Sequence, residues 1–295
     1  MTELKCFATK SIGLQSDLRL NLVLSGPDPA SSKSPTVFFL HFWGGSSAVW
    51  SRVTSLLPPE WPTAALDFRG WGASVGPDDA GAYSIAHLAA DVEAAIASLE
   101  PQKVVLVGMS MGGKVAQAVA GRGRVGSALR GVLLVGPAPP TPLVLPGEMR
   151  EQQVHAYDSA QSAEFVARHV LTSPRSGLGD DAYEAMVRDM LGGNRWAREA
   201  WPAYAMAEDV VELARRIVVP VVVLGGENDL VEPVERLRSE VVGNIGGAKM
   251  IVLPGAGHMV PLEKPAEVAR EIKEFVDRHA TRTPEVEEKM SEAEN

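Results

Sequence analysis

The chain has 295 residues, of which 45% are hydrophobic and 22% charged. That composition supports a core of its own and excludes disorder over most of the length. Lys and Arg number 28 against 37 Asp and Glu, a net charge of −9 that disfavours nucleic acid and anionic membranes and points to a small-molecule partner.

Residues 1–13 lack the apolar stretch of a secretory signal, and no run approaches the ~20 apolar residues of a membrane span, so the expected location is cytoplasmic. The single cysteine, Cys6, allows no intrachain disulfide. No Cys/His pair has zinc spacing, so no metal is expected. Residues 5–12 and 18–24 alternate apolar and polar positions, the pattern of an antiparallel hairpin at a sheet edge. Six runs follow, at 36–41, 63–67, 103–108, 131–136, 219–225 and 248–253, each bounded by Gly, Pro or a charge. Their apolar residues are continuous, as in strands covered by helices on both faces. Between them, Ile85, Leu88, Ala89, Val92, Ala95, Ile96 and Leu99 recur at helical spacing behind Ser84, a good N-cap residue, and 266–279 repeats the pattern. Alternating strands and helices predict an open, mostly parallel α/β sheet with right-handed crossovers.

The rhythm breaks at residue 137. The stretch Gly136-Pro-Ala-Pro-Pro-Thr-Pro142 leaves the sheet stiffly, and no strand pattern returns before about residue 216. Six of the chain's 17 aromatic residues fall there: Tyr157, Phe165, Tyr183, Trp196, Trp201 and Tyr204. A helical cap at 137–216, inserted into a core domain of residues 1–136 and 217–280, accounts for that enrichment. Residues 281–295 hold five acids, two bases and no aromatic, and are expected to be a solvated tail.

Two segments match GxSxG, Gly72-Ala-Ser74-Val-Gly76 and Gly108-Met-Ser110-Met-Gly112. Only Ser110 sits directly between an apolar strand and a helix of small residues, the setting of a nucleophile elbow. A GxGxxG match, Gly121-Arg-Gly-Arg-Val-Gly126, follows the end of a helix where phosphate cradling needs a strand, and is read as a helix stop. A serine hydroxyl needs an imidazole to take its proton and a carboxylate to hold that imidazole's tautomer. His258, in Pro254-Gly-Ala-Gly-His258, follows the last strand. Asp229 follows the strand before it, with Glu227 and Glu232 as rivals. Both lie at carboxyl ends of parallel strands, where clefts form in open α/β sheets.

With Ser110, Asp229 and His258 in that order, the chain resembles the α/β-hydrolase family, in its cap-bearing, esterase-like branch, over residues 36–280. His41-Phe-Trp43-Gly-Gly45 resembles the family's oxyanion loop, with Phe42 where glycine is usual. Asp67-Phe-Arg69-Gly-Trp-Gly-Ala-Ser74 resembles its DxRGxGxS loop, and Asp67, Arg69 and Ser74 are read as braces of that loop. The resemblance implies an oxyanion hole made by the backbone N–H groups of Met111 and Trp43. It also implies a cofactor-independent serine hydrolase acting on esters or lactones, with peracid formation as a side activity. Ser110 in place of an elbow aspartate disfavours epoxide opening and halide displacement. The apolar neighbours Trp43, Trp71, Met109, Met111 and Met259 predict a small to medium apolar substrate. Phe42, Met109, Trp196, Trp201, Tyr204 and Met259 are candidates to line its pocket. Two rival readings are hydrolysis of a carbon–carbon bond in a diketone-like substrate and non-catalytic binding of a small ligand. No long apolar surface stripe declares itself outside the cap, so the sequence leaves the oligomeric state open.

Overall fold

The computed structural model describes residues 7–280, so Cys6 and the expected tail at 281–295 lie outside the described residues. Eight strands hydrogen-bond into one sheet in the order β1-β2-β4-β3-β5-β6-β7-β8. They are Phe7–Gln15 (β1), Leu18–Ser25 (β2), Thr36–Leu40 (β3), Thr63–Asp67 (β4), Val104–Met109 (β5), Leu129–Val135 (β6), Val221–Gly226 (β7) and Lys249–Leu253 (β8). The predicted hairpin forms: β1 pairs antiparallel with β2 at the sheet edge, and β2 pairs antiparallel with β4. All remaining pairings are parallel. The fold is therefore the mostly parallel α/β sheet that the runs of apolar residues predict.

Strand ends fall within two residues of expectation, except that β1 runs three residues further, to Gln15. The seventh strand is expected from residue 219 but pairs only from Val221. Pro220 has no N–H for the ladder, and its carbonyl accepts from Val132 N at 3.0 Å where the strand enters. Every residue of β3, β4 and β5 is buried, so helices cover both faces of the sheet centre.

The helices before the insertion are Ser51–Leu56 (α1), Ile85–Leu99 (α2) and Met111–Arg122 (α3). Ser84 caps α2 as expected, its hydroxyl accepting from His87 N at 3.1 Å. Between β6 and β7 the described residues form no strand, only Gly147–Val154 (α4), Ala160–Val166 (α5), Asp180–Gly192 (α6), Arg195–Ala203 (α7), Val211–Arg215 (α8) and short helical turns. After β7 come Val234–Arg236 (α9), Val260–Glu263 (α10) and Pro265–His279 (α11). No helix among the described residues is long and apolar enough to cross a membrane.

Register decides where function can sit. Leu40 is level with Leu66 and with Gly108, Met109 with Val135, Val135 with Leu224, and Gly226 with Leu253. The carboxyl ends of the parallel strands therefore stop along one edge. The loops that carry residues 41–43, Ser110, Gly136, Asp229 and His258 all open there.

The loop after β4 is braced at that edge. Asp67 Oδ1 accepts from Ser47 N (2.6 Å), and Oδ2 accepts from Ala73 N and Asn21 Nδ2 (both 2.9 Å). Ser74 Oγ donates to the Asp67 carbonyl (2.6 Å) and accepts from Asn21 N (2.8 Å). Arg69 grips Asp91 of α2 through Nε and Nη2, both at 2.6 Å, and Ala82 O through Nη1 at 2.6 Å. Both partners of this pair are buried, so removing one strands the other's charge out of water. Asp91→Ala is expected to lower the free energy of unfolding by about 3–5 kcal/mol. A denaturant titration of both proteins measures the difference.

Candidate active site

Ser110 sits between β5 and α3 at φ +52° and ψ −119°, a conformation that L residues adopt only under constraint. The constraint is visible in the packing. A Cβ on Gly112 would lie 2.5 Å from the His41 carbonyl oxygen, and one on Gly113 would lie 2.5 Å from Pro137 Cβ. Ser110 N donates to Val135 O at 3.1 Å, and the Ser110 carbonyl accepts from Gly113, Lys114 and Ala138. Ser110 makes no capping bond to α3, so its hydroxyl is not spent on ending a helix.

The close approach at Gly112 brings the end of β3 against the first turn of α3. Among the described residues, neither the Met111 nor the Trp43 amide meets a hydrogen-bond acceptor. His41 holds the root of its loop: Nδ1 donates to Phe42 O at 2.6 Å, and Nε2 accepts from Phe68 N at 3.0 Å. Burial drives its pKa down to about 4, against the pull of Asp67 and the Phe42 carbonyl, so it stays neutral.

His258 and Asp229 meet as the sequence predicts. His258 Nδ1 donates to Asp229 Oδ2 at 2.8 Å, and the two residues are 1% and 5% exposed. Asp229 Oδ1 accepts from Val231 N (2.8 Å) and Glu232 N (2.9 Å), which fixes the carboxylate from its other side. The two loops are zipped together by Asn228 N to Ala256 O at 2.8 Å. Gly136 lies between this pair and the elbow. A Cβ there would fall 3.2 Å from Asp229 Oδ2 and 3.3 Å from His258 Nδ1, and its neighbour Val135 holds Ser110 N. One strand end thus lies against the Asp229–His258 pair and holds the backbone of the Ser110 turn. The rival acids are engaged elsewhere: Glu227 Oε2 accepts from Gly255 N, and Glu232 Oε2 faces Arg236 Nη1 at 3.3 Å.

A model of the α/β-hydrolase family matches residues 37–271. The chain belongs to the α/β-hydrolase family. It is 27% identical over 258 residues to a bifunctional esterase/perhydrolase DCH of Acinetobacter calcoaceticus, covering 82% of this chain and 92% of that one. It is 28% identical over 239 residues to a non-heme haloperoxidase of Rhodococcus erythropolis, covering 75% and 85%. Among solved structures, a bromoperoxidase from Bacillus anthracis superposes with a TM-score of 0.81 at 17% identity, covering 92% of this chain and 100% of that chain. The esterase EaEST from Exiguobacterium antarcticum gives 0.80 at 19%, with the same coverage. The relatives support hydrolase chemistry for this α/β hydrolase.

The pocket candidates divide. Phe42, Met109, Trp201 and Met259 are buried, and Met259 N donates to Leu171 O at 2.9 Å. Trp196 and Tyr204 commit their polar ends to the segment after the β4 loop: Trp196 Nε1 donates to Asp78 Oδ1 at 2.5 Å, and the Tyr204 hydroxyl donates to Ala80 O at 2.7 Å. In this hydrolase these two aromatics tie the inserted helices to the core. Lys114, the one charge close after the elbow, is fully buried, and its Nζ donates to Thr141 O (3.1 Å) and Met206 O (2.9 Å). Both ends of the inserted segment are thereby held to α3. Burial lowers the Lys114 pKa to about 8, with nearby acids opposing.

Glu232 entered the sequence reading only as a rival to Asp229. The structure gives it a different character, a carboxyl 1% exposed beside the Asp229–His258 pair. Burial raises its pKa to about 8, with His258 and Arg236 opposing and Asp229 reinforcing. No local sequence signal marks this, because it follows from how tightly the loop folds back. From about pH 4.5 to about pH 8 the folded protein keeps a proton that the unfolded chain releases, so this group makes stability fall as pH rises. Glu232→Gln removes that slope. Its unfolding midpoint is expected to gain on the wild type steadily across this range, which parallel urea titrations at several pH values measure.

Proposed function

We propose that this α/β hydrolase is a cofactor-independent serine hydrolase that cleaves carboxylic esters or lactones of small to medium apolar compounds through an acyl-enzyme. The observation that carries the reading is the His258–Asp229 hydrogen bond at 2.8 Å, joined through Gly136 to a strained, uncapped Ser110. Ser110 Oγ attacks the substrate carbonyl while His258 Nε2 takes its proton. His258 then returns that proton to the leaving oxygen, and water completes the cycle by the same route. Asp229 holds the Nδ1–H tautomer and balances the imidazolium. The amides of Met111 and Trp43 receive the oxyanion, each donor lowering the barrier by roughly 3 kcal/mol. The helical segment at 137–216 covers the site as a cap.

The relative named an esterase/perhydrolase supports the ester reading. It also supports peracid formation, in which hydrogen peroxide replaces water as the acceptor of the acyl group.

Exposure to a fluorophosphonate is expected to add one adduct to the wild-type mass and none to Ser110→Ala. A wild type that stays unlabelled while folded overturns the mechanism. Asp229→Asn is expected to fold normally and to lose about 10⁴-fold in kcat on a short-chain aryl ester, because the imidazole is left in the wrong tautomer.

The pH dependence has a defined sign. Burial disfavours the imidazolium of His258, but the Asp229 carboxylate, with Glu232 and Glu263 nearby, outweighs it, and the net shift is upward from 6.5. Catalysis needs the neutral imidazole. Measured kcat/KM is therefore expected to fall on acidification with a midpoint above the ordinary histidine value.

A further inference from the structure

The loop that carries the Trp43 amide has no strand or helix to stiffen it: His41 Nδ1 and Gly45 N hold the Phe42 carbonyl on one side of Trp43 at 2.6 and 3.0 Å, and the cap holds the other side. The Tyr157 hydroxyl donates to the Trp43 carbonyl at 2.9 Å, and the two rings stack with centroids 4.1 Å apart at 29°. The Trp43 indole N–H donates to Arg198 O at 3.1 Å, and the Arg198 guanidinium donates back to Tyr157 O at 3.0 Å. Trp43, Arg198 and Tyr157 thus form a closed ring of contacts, two of whose three members belong to the cap. The adjoining Gly44 sits at φ +90°, where a Cβ would lie 2.5 Å from the Tyr157 ring. Glycine is needed there both for the backbone conformation and for the approach of the ring. Burial raises the Tyr157 phenol far above its ordinary value, so the hydroxyl keeps the proton it donates.

We propose that Tyr157 is a positioning residue for the oxyanion hole: by clamping the Trp43–Gly44 peptide it makes seating of the cap a condition for the Trp43 amide to face the reacting carbonyl. This deepens the serine hydrolase reading and rests on it. Rotation about the Trp43 backbone bonds would swing the amide away. With the side chain stacked and the following carbonyl bonded, that rotation is blocked. The cap also touches the loop of the base. Leu171 O accepts from Met259 N at 2.9 Å, and the Glu263 carboxylate accepts from Gly257 N (3.1 Å) and Ser173 N (3.2 Å). Seating the cap therefore bears on donor and base together, and Tyr157 is its grip on the donor.

The test compares wild type and Tyr157→Phe, which keeps the stacked ring and loses the clamp. The readouts are steady-state kinetics on p-nitrophenyl butyrate and the rate of labelling by a fluorophosphonate. A misdirected donor is expected to lower kcat by between about 10-fold and 10²-fold with KM changed by less than about twofold. Labelling is expected to slow in parallel, because the phosphoryl oxygen uses the same donors. The acid limb of the pH profile stays in place, since His258 is untouched. A kcat and labelling rate within about twofold of wild type overturn the proposal, as does a change confined to KM, which makes Tyr157 a binding contact only. If Tyr157→Phe loses its near-ultraviolet circular dichroism, Trp43→Phe, which removes the indole bond to Arg198 and keeps a ring on Tyr157, takes the same test with the same expected and overturning results. A folded wild type that neither labels nor turns over ester overturns the hydrolase reading and this inference with it. A labelled wild type beside an unaffected Tyr157→Phe overturns this inference alone.

Discussion

The strained turn at Ser110 is the constraint on which the rest of the site depends. A non-glycine residue at φ +52° costs on the order of 1–3 kcal/mol, and the surrounding structure must supply that everywhere around it. It does so with backbone. The elbow amide is tied to β6, the elbow carbonyl takes three amides, and α3 presses its first turn against the end of β3 through Gly112. The same packing that forces the turn also leaves the Met111 amide free at the head of α3. The strained turn and the unbonded Met111 amide are two results of one local geometry.

The second organising feature is the common edge at which the parallel strands stop. Asp229 and His258 reach that edge after β7 and β8, and Ser110 reaches it after β5, with β6 between them. Gly136 closes the gap because it has no side chain to keep the two halves apart. Burial then sharpens the electrostatics. Two amides and an imidazole satisfy the oxygens of Asp229 in a dry site. Glu232, three residues on, has only a long contact to a half-buried Arg236, and so holds a proton into the neutral range. The two carboxyls on this loop thus differ in how many hydrogen-bond partners hold them.

What could be read from the chain follows from how local the signal is. The Asp229–His258 pairing and the turn at Ser110 were legible because each residue follows closely on an apolar strand, and a strand end is a short-range pattern. The Arg69 and Ser74 braces were legible for the same reason, since their motif is a single loop. Pro220 cost two residues of strand because apolar continuity alone ignores the missing N–H. The roles of Lys114, Glu232 and Tyr157 are not local. Lys114 stands in the sequence only as the one charge close after the elbow until the ends of the insertion close over it, and Tyr157 reads as one aromatic among six until its hydroxyl finds a carbonyl at Trp43. Trp196 and Tyr204 show the converse. Their side chains suggested a pocket, while their polar ends are bonded to the segment at 78–80.

These long-range contacts change what the insertion means for the fold. A cover that only excluded water would need apolar contact with the core and nothing more. The insertion is pinned at both ends by a buried ammonium whose pKa is lowered to about 8, is tied to the β4 side by aromatic hydroxyl and indole, and bonds directly to the loops of Trp43 and His258. Each of those bonds removes a polar group from water and would be a cost if left unmatched, so the insertion and the sheet edge must fit as polar surfaces as well as apolar ones. Substitutions inside the helical segment, remote from Ser110 in the chain, therefore reach the site through backbone carbonyls and amides that no side-chain motif at the sheet edge records.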